Sequence, residues 1–372
     1  MQPVDVPPRA ARAPRAARGL ASRAARVAPA ASLSDAGLRV AYSGEPGAFA
    51  EDAVLAAFDR PVPVPVAGFR QVFEAVTAGC VPADPPDAAP VVAGVVPIEN
   101  LVNGTVRENY DLLLEHDLLV TGELVVPVRL CLAALPGQSI EEIERVYSHI
   151  QALGQAERFL RTRPWTLLTT YNTAGAAKLI VERGERAAAA VLSPRAAEIF
   201  GLEVLADGIQ EVPDNRTRFF VVARRETDAA RPHTPPASDW DGPARHGAAP
   251  PGAVAGPTGG GPAPARRGGR PVAPGRVEPA PARSTAVPMR TTMVLAVRNE
   301  PGSLHRCLGV FARAGLNMSK LESRPSRDRA WEYVFWVDLD ADEAQARAAA
   351  AELGAAAAMV RILGTYPRAA GT

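Results

Sequence analysis

The sequence predicts an α/β protein made of two folded units, and three observations carry that prediction. Apolar strand-like runs alternate with helical patterns from Leu38 to Ala223. A tract from about 227 to 288, rich in Pro, Gly, Ala and Arg, then breaks all periodic hydrophobicity. From Arg290 onward order resumes as strand, helix, strand, strand, helix, strand, which is the ferredoxin-like arrangement. The chain has 372 residues, 47% of them hydrophobic and 22% charged, enough to bury a sizeable core in two or three domains.

Composition also excludes classes of function. A formal net charge of +1 provides no global field for nucleic acid. Cys80, Cys131 and Cys307 are odd in number and far apart, which fits a reducing compartment without a disulfide framework. Five histidines, none at ligand spacing, argue against a metal. No apolar run approaches bilayer length, so no membrane partner is expected.

Residues 1–36 are rich in Ala, Arg and Pro, with Asp5 the sole acid before Asp35. That composition is the one of an organelle transit peptide, the alternative being a disordered tail. Leu38 to Tyr42 reads as a strand, Ser43 to Gly47 as a tight loop, and Ala48 to Phe58 as a helix. Strand, glycine loop and helix in that order present free N–H groups to an anion, although most such loops are only turns. Val91 to Val96 is a strand that ends in Pro97-Ile98-Glu99-Asn100, and Thr105 with Glu108 forms a capping-box pattern opening a helix to about Glu115. Asn100 thus stands at a strand's C-terminal end, where open α/β sheets place ligand contacts, or else closes a turn.

Leu118 to Ala134 contains Pro127 and reads as two strands, or as one strand crossing between subdomains. Ser139 to Glu142 is a second capping box. Arg145 to Ser148 is a strand followed by a helix to about Arg161, so Ser148 and Gln151 face a cleft; His149 invites a general-base reading but has no acid or nucleophile beside it in sequence. Trp165 to Tyr171 is a strand, and Thr173 either caps the next helix or binds an anion. After the strand Ala187 to Leu192, Ser193-Pro194 supplies an N-cap and first turn for a helix to Phe200.

Asp214-Asn215-Arg216-Thr217-Arg218-Phe219 follows, a hydroxyl between two guanidinium groups at the entrance to the strand Phe219 to Ala223. On so stiff a mount the Thr217 hydroxyl can donate to a departing oxygen or hold a carboxylate. A lone Thr before a strand is also an ordinary β-former. Beyond the 227–288 tract, read as a disordered linker that decouples the units, the strands are Arg290 to Arg298, Met318 to Ser323, Trp331 to Asp338 and Val360 to Thr365.

Several ordered blocks resemble the prephenate dehydratases. They are Gly44-Glu45-Pro46-Gly47-Ala48-Phe49, Pro97-Ile98-Glu99-Asn100, Tyr147 to Leu153, Asn172 to Ala177 and Thr217-Arg218-Phe219. Glu322-Ser323-Arg324-Pro325 and Leu363 to Pro367 resemble the family's ACT domain. Asn109 to Leu114, Cys131 to Gly137 and Ala206 to Gln210 look closest to the plant plastid form, arogenate dehydratase.

The resemblance implies a catalytic unit over 37–226 of two α/β lobes, like type II solute-binding proteins, and an ACT regulatory unit over 289–369. It implies a lyase that removes CO2 and a ring hydroxyl from arogenate to give phenylalanine, or from prephenate to give phenylpyruvate. No cofactor is implied, since aromatisation drives the step. Thr217 matches the family's essential threonine, and Asn100, Ser148, Gln151, Thr173, Arg218 and Phe219 are implied to bind substrate. Gly302, Ser303, Leu304, Asn317, Glu322 and Ser323 are implied to bind phenylalanine as a feedback effector in a homodimer or homotetramer. A plastid location is implied if the N-terminus is a transit peptide, and a cytoplasmic one if it is not. Leu101, Ala50, Ile150 and Ser303 depart from the family's usual Ser or Thr, Ser, Pro and Ala. Two missing hydroxyls support a second reading, a non-catalytic amino-acid sensor of the same fold.

Overall fold

The computed structural model describes residues 37–225, 287–325 and 333–369. The expected transit peptide or tail, nearly all of the expected linker, and Trp331 lie outside the described residues.

The first lobe opens with β1 (Arg39–Ser43), α1 (Phe49–Ala57), β2 (Val62–Val66), α2 (Phe69–Ala78) and β3 (Val91–Asn100). It continues through the short β4 (Gly104–Thr105), α3 (Arg107–Glu115) and β5 (Leu118–Pro127). β2 and α2 were not anticipated. Pro63 and Pro65 alternate through β2, a pattern tolerated because β2 is an edge strand paired only with β1. Thr105 is not a helix cap: it pairs with Glu99 in a hairpin, and α3 starts at Arg107 with no side-chain cap.

The chain then crosses to a second lobe of β6 (Cys131–Ala134), β7 (Arg145–Ser148), α4 (Ile150–Gln155), α5 (Glu157–Leu160) and β8 (Thr166–Thr169). α6 (Thr173–Arg183), β9 (Ala188–Leu192), α7 (Pro194–Ile199) and β10 (Glu203–Asp207) complete it. The stretch from Leu118 to Ala134 is therefore two strands in two sheets, divided after Pro127. β11 (Arg216–Arg224) returns to the first sheet, whose order is β2-β1-β3-β11-β5, and the second sheet runs β10-β6-β9-β7-β8. The two crossings lie side by side as a hinge, where the Val128 N–H donates to the Asn215 carbonyl at 2.8 Å.

The last unit is β12 (Met289–Val297), α8 (Ser303–Arg313), β13 (Asn317–Pro325), β14 (Tyr333–Asp340), α9 (Glu343–Leu353) and β15 (Met359–Pro367). Its sheet order, β13-β14-β12-β15, is that of the ferredoxin-like arrangement. One face of this sheet packs on its own helices through Met293, Leu295, Phe335 and Val337. The other face packs on the first lobe, so that Val294, Trp336, Leu363 and Tyr366 share a core with Tyr110, Val120 and Phe220. The expectation of two decoupled units is thus overturned. Packing is so close that a Cβ at Gly364 would lie 1.9 Å from the Val120 carbonyl oxygen.

Candidate active site

Asn100 and Thr217 are directly opposite each other on the antiparallel pair β3 and β11. The Asn100 side-chain carbonyl accepts from the backbone N–H groups of Val102 and Asn103, both at 3.0 Å. These two groups only donate, so the orientation of the Asn100 amide is determined. Its Nδ2 therefore points the other way, toward the Thr217 hydroxyl at 3.0 Å, the Asn215 side-chain carbonyl at 2.9 Å and the Arg216 carbonyl at 3.1 Å. Thr217 uses an oxygen lone pair toward Asn100, and among the described residues nothing accepts its proton. A hydroxyl that already accepts a bond is polarised toward donating one.

The second lobe reaches this pair through Gln155, whose Nε2 lies 3.5 Å from the Asn100 oxygen. Gln151, one helical turn earlier, is exposed and is not brought to Asn100. Ser148 is fully buried and its hydroxyl donates to the Val191 carbonyl. Thr173 is half-buried at the start of α6, and the cap is Asn172, whose side chain accepts from the Gly175 N–H. Since β7 and β8 are parallel neighbours, Ser148 and Thr173 follow adjacent strand ends of one sheet. His149 caps α4, accepting from the Gln151 N–H, and burial pulls its pKa below the usual histidine value.

The two guanidinium groups do not bracket the Thr217 hydroxyl. Successive side chains of a strand point to opposite faces. Arg216 pairs with Asp214 at 2.7 Å. Arg218 lies beneath the sheet, away from Asn100, and binds Asp338 of the C-terminal unit at 2.5 Å and Glu123 at 3.3 Å. Burial opposes its charge, but Asp338, Tyr366 and Glu123 together raise its pKa. Glu99, opposite Arg218 on β3, bonds Lys320 of β13 at 3.1 Å. Phe219 is buried in the core shared by both lobes, with Leu124, Val126 and Ala50. Leu101 is 67% exposed on the hairpin, so its side chain faces solvent while its N–H donates to the Arg216 carbonyl.

The lobes are held against one another by the loop between β1 and α1 and by the first turn of α1. Ser193 donates to the Gly47 carbonyl at 2.9 Å, and Arg195 bonds Glu51 at 2.7 Å and Asp52 at 2.9 Å. Gly47 has φ of 87°, and a Cβ there would meet the Ala196 Cα at 2.6 Å, so only glycine allows this approach. Glu45 accepts from the Tyr171 hydroxyl at 2.7 Å and lies 3.2 Å from the Lys178 ammonium. Burial and that bond push Tyr171 up to about 12. A shallow cavity of about 260 Å³ is lined by Glu45, Lys178, Glu182 and Phe200, apart from Asn100 and Thr217.

In the C-terminal unit, Gly302 adopts a left-handed φ of 79° before α8, and the Ser303 hydroxyl accepts from Arg306. Leu304 is half-buried, while Asn317 donates to Asp340 beyond the opposite end of α8. Glu322 faces the first lobe and accepts from the Thr105 hydroxyl, and Ser323 is exposed. Asn215 and Gln155 were not singled out by sequence. Their signal was periodicity, since Asn215 stands two residues before Thr217 and Gln155 four after Gln151.

Residues 40–227 match the family model for prephenate dehydratase, and residues 291–356 match the ACT domain. The chain belongs to the prephenate dehydratase family. The chloroplastic arogenate dehydratase/prephenate dehydratase 1 of Arabidopsis thaliana is 32% identical over 349 residues, covering 90% of this chain and 73% of that protein. The solved prephenate dehydratase of Arthrobacter aurescens in complex with L-Phe shares the fold, with TM-score 0.66 and 24% identity, covering 89% of this chain and 90% of that one. GqqA, described as a novel type of quorum-quenching acylase, has TM-score 0.64 and 26% identity, covering 88% of this chain and 97% of its own.

Proposed function

We propose that this chain catalyses the decarboxylating dehydration of arogenate to phenylalanine, and of prephenate to phenylpyruvate, with phenylalanine as feedback effector. The carrying observation is the Thr217 hydroxyl, oriented by Asn100 and with its proton accepted by nothing among the described residues. In the reaction the ring–carboxylate bond breaks and releases CO2, its electron pair enters the ring, and the ring–hydroxyl bond breaks in turn. The departing oxygen takes up a proton and leaves as water. Donation from Thr217 stabilises the charge growing on that oxygen. A threonine is a weak acid in water, so its contribution is mainly electrostatic, about 3–4 kcal/mol as for other donors to a developing oxyanion. Gln151 on α4 and Thr173 at the start of α6 position the substrate, while Ser148 acts only through the packing of β7, its hydroxyl being spent on the Val191 carbonyl. Arg218 does so only through the strand that also carries Thr217.

Phenylalanine binding involves Gly302 to Leu304 with Glu322 and Ser323, in an assembly of two or four copies. The named relative is chloroplastic, which supports a plastid location. The test is turnover of arogenate and of prephenate by the purified chain, followed as phenylalanine and phenylpyruvate. Thr217→Ala is expected to lower both activities by about 10²–10³-fold, and full turnover in that variant rejects the role of Thr217. Tight phenylalanine binding without turnover of either substrate indicates the sensor reading instead.

A further inference from the structure

Beside the Asn100–Thr217 pair stands a third side chain with an unfilled hydrogen-bonding group. Asn215 is 1% exposed, and its amide nitrogen has no hydrogen-bond partner among the described residues. The alternative amide orientation does not remove the deficit. Two backbone N–H groups fix the Asn100 oxygen, so Asn100 presents Nδ2 to Asn215, and the atom facing it must be an acceptor. The unpartnered atom is therefore an N–H donor. Buried donors are almost always satisfied, and one left open beside a reacting group is held for something else.

Resting on the dehydratase reading, we infer that Asn215 is a substrate-binding residue whose Nδ2 donates to an oxygen of the anionic substrate, one of its carboxylates. Its carbonyl orients Asn100, which orients Thr217, so one side chain combines positioning of the hydroxyl with a direct contact. Its place in the chain suits both roles. The Asn215 backbone carbonyl accepts from the Val128 N–H where the chain crosses between the lobes, so this side chain stands at the lobe junction one residue before β11.

Two substitutions in the full chain separate this contact from a purely structural role. Asn215→Asp keeps an oxygen to accept from Asn100 but replaces the donor with a negative acceptor facing the substrate. Asn215→Ser removes both amide atoms and adds no charge. A substrate donor predicts that kcat/KM falls about tenfold to hundredfold in the Ser variant, chiefly through KM. It predicts at least a further tenfold fall in the Asp variant. A structural role predicts the reverse order, because Asp retains the Asn100 bond and Ser does not, with the loss in kcat. Melting temperatures establish that each variant is folded. If the Asp variant does not fold, the Ser variant decides: a tenfold or greater rise in KM supports the assignment and a smaller change overturns it. Wild-type turnover with the Asp variant equal to or above the Ser variant overturns the assignment alone. Wild-type turnover of neither arogenate nor prephenate overturns the dehydratase reading and this inference with it.

Discussion

Asp338→Ala is the most informative single perturbation of the contact between the catalytic lobes and the ACT domain. Arg218 and Arg290 meet Glu123 and Asp338 there, with Glu99 3.8 Å from Arg218 and Asp340 3.7 Å from Arg290 at the edge of the cluster. Arg290 holds Glu123 at 2.8 and 3.0 Å, and Arg218 is 10% exposed with its shortest bond, 2.5 Å, to Asp338. Removing Asp338 takes away the shortest contact of buried Arg218, leaving it Glu123 at 3.3 Å and Glu99 at 3.8 Å, and removes the carboxylate that the Thr292 hydroxyl meets at 2.7 Å. Breaking one partner of a buried pair costs about 3–5 kcal/mol. At about 2–4 °C per kcal/mol for a unit of roughly 150–250 residues, the melting temperature falls by about 6–20 °C. Scanning calorimetry measures this, and the emission of Trp336, buried at the contact beside Tyr110, reports the same transition. The double variant Arg218→Met with Asp338→Leu recovers most of the loss, because apolar replacement of a buried pair is nearly neutral. A loss below about 1 kcal/mol in Asp338→Ala, in the range of a surface pair, refutes the buried network.

Further outcomes follow from other contacts. Thr217→Val keeps the shape of the side chain and removes the donor, so kcat falls by about 10²–10³ with the melting temperature little changed, as read by product formation and calorimetry. Gly364→Ala places a methyl group on the Val120 carbonyl and separates the ACT sheet from β5, which size and melting measurements reveal as an expanded, less stable chain. Gly47→Ala obstructs the approach of Ala196 and raises KM for either substrate without reaching Thr217. His149 has a folded pKa below its unfolded value near 6.5, so the unfolded state binds its proton first and stability declines as pH falls below about 6.5. His149→Asn keeps an N-cap and flattens that slope in melts between pH 7.5 and 5.5.

Legibility in the sequence followed periodicity. Strands bounded by turn residues, the capping box at Ser139, the Ser193-Pro194 helix start and the full ACT order were all readable from local pattern. β2 was hidden because its two prolines argue against a strand, and only its edge position permits them. Around Thr217 the residue types were visible but their directions were not. Placing the strand's start after Thr217 allowed both arginines to be imagined beside the hydroxyl. In the structure β11 begins at Arg216, and its pleat sends Arg218 to the far face. The docking of the ACT domain was less legible: Met289–Val297 and Tyr333–Asp340 are nearly continuously buried in the structure, yet Arg290, Thr291, Thr292 and Asp338 interrupt their hydrophobic runs.

The same two rungs of the β3–β11 ladder serve both faces of the sheet. Asn100 pairs with Thr217 on the cleft side, and the adjacent rung, Glu99 with Arg218, projects toward the ACT domain. Glu99 is bound there by Lys320, which lies 3.7 Å from Glu322, and Arg218 is bound by Asp338. Because the side-chain period of a strand is two, a slip of one residue in this pairing would exchange the faces and destroy both sets of contacts. The β-bulge between Arg218 and Phe219 lies immediately after this rung. An effector that draws Glu322 or Lys320 into its own binding site must therefore weaken their contacts with Thr105 and with Glu99, the latter one residue from the Asn100 that orients the Thr217 hydroxyl. Its influence on turnover is limited to the difference in its affinity for the docked and undocked arrangements.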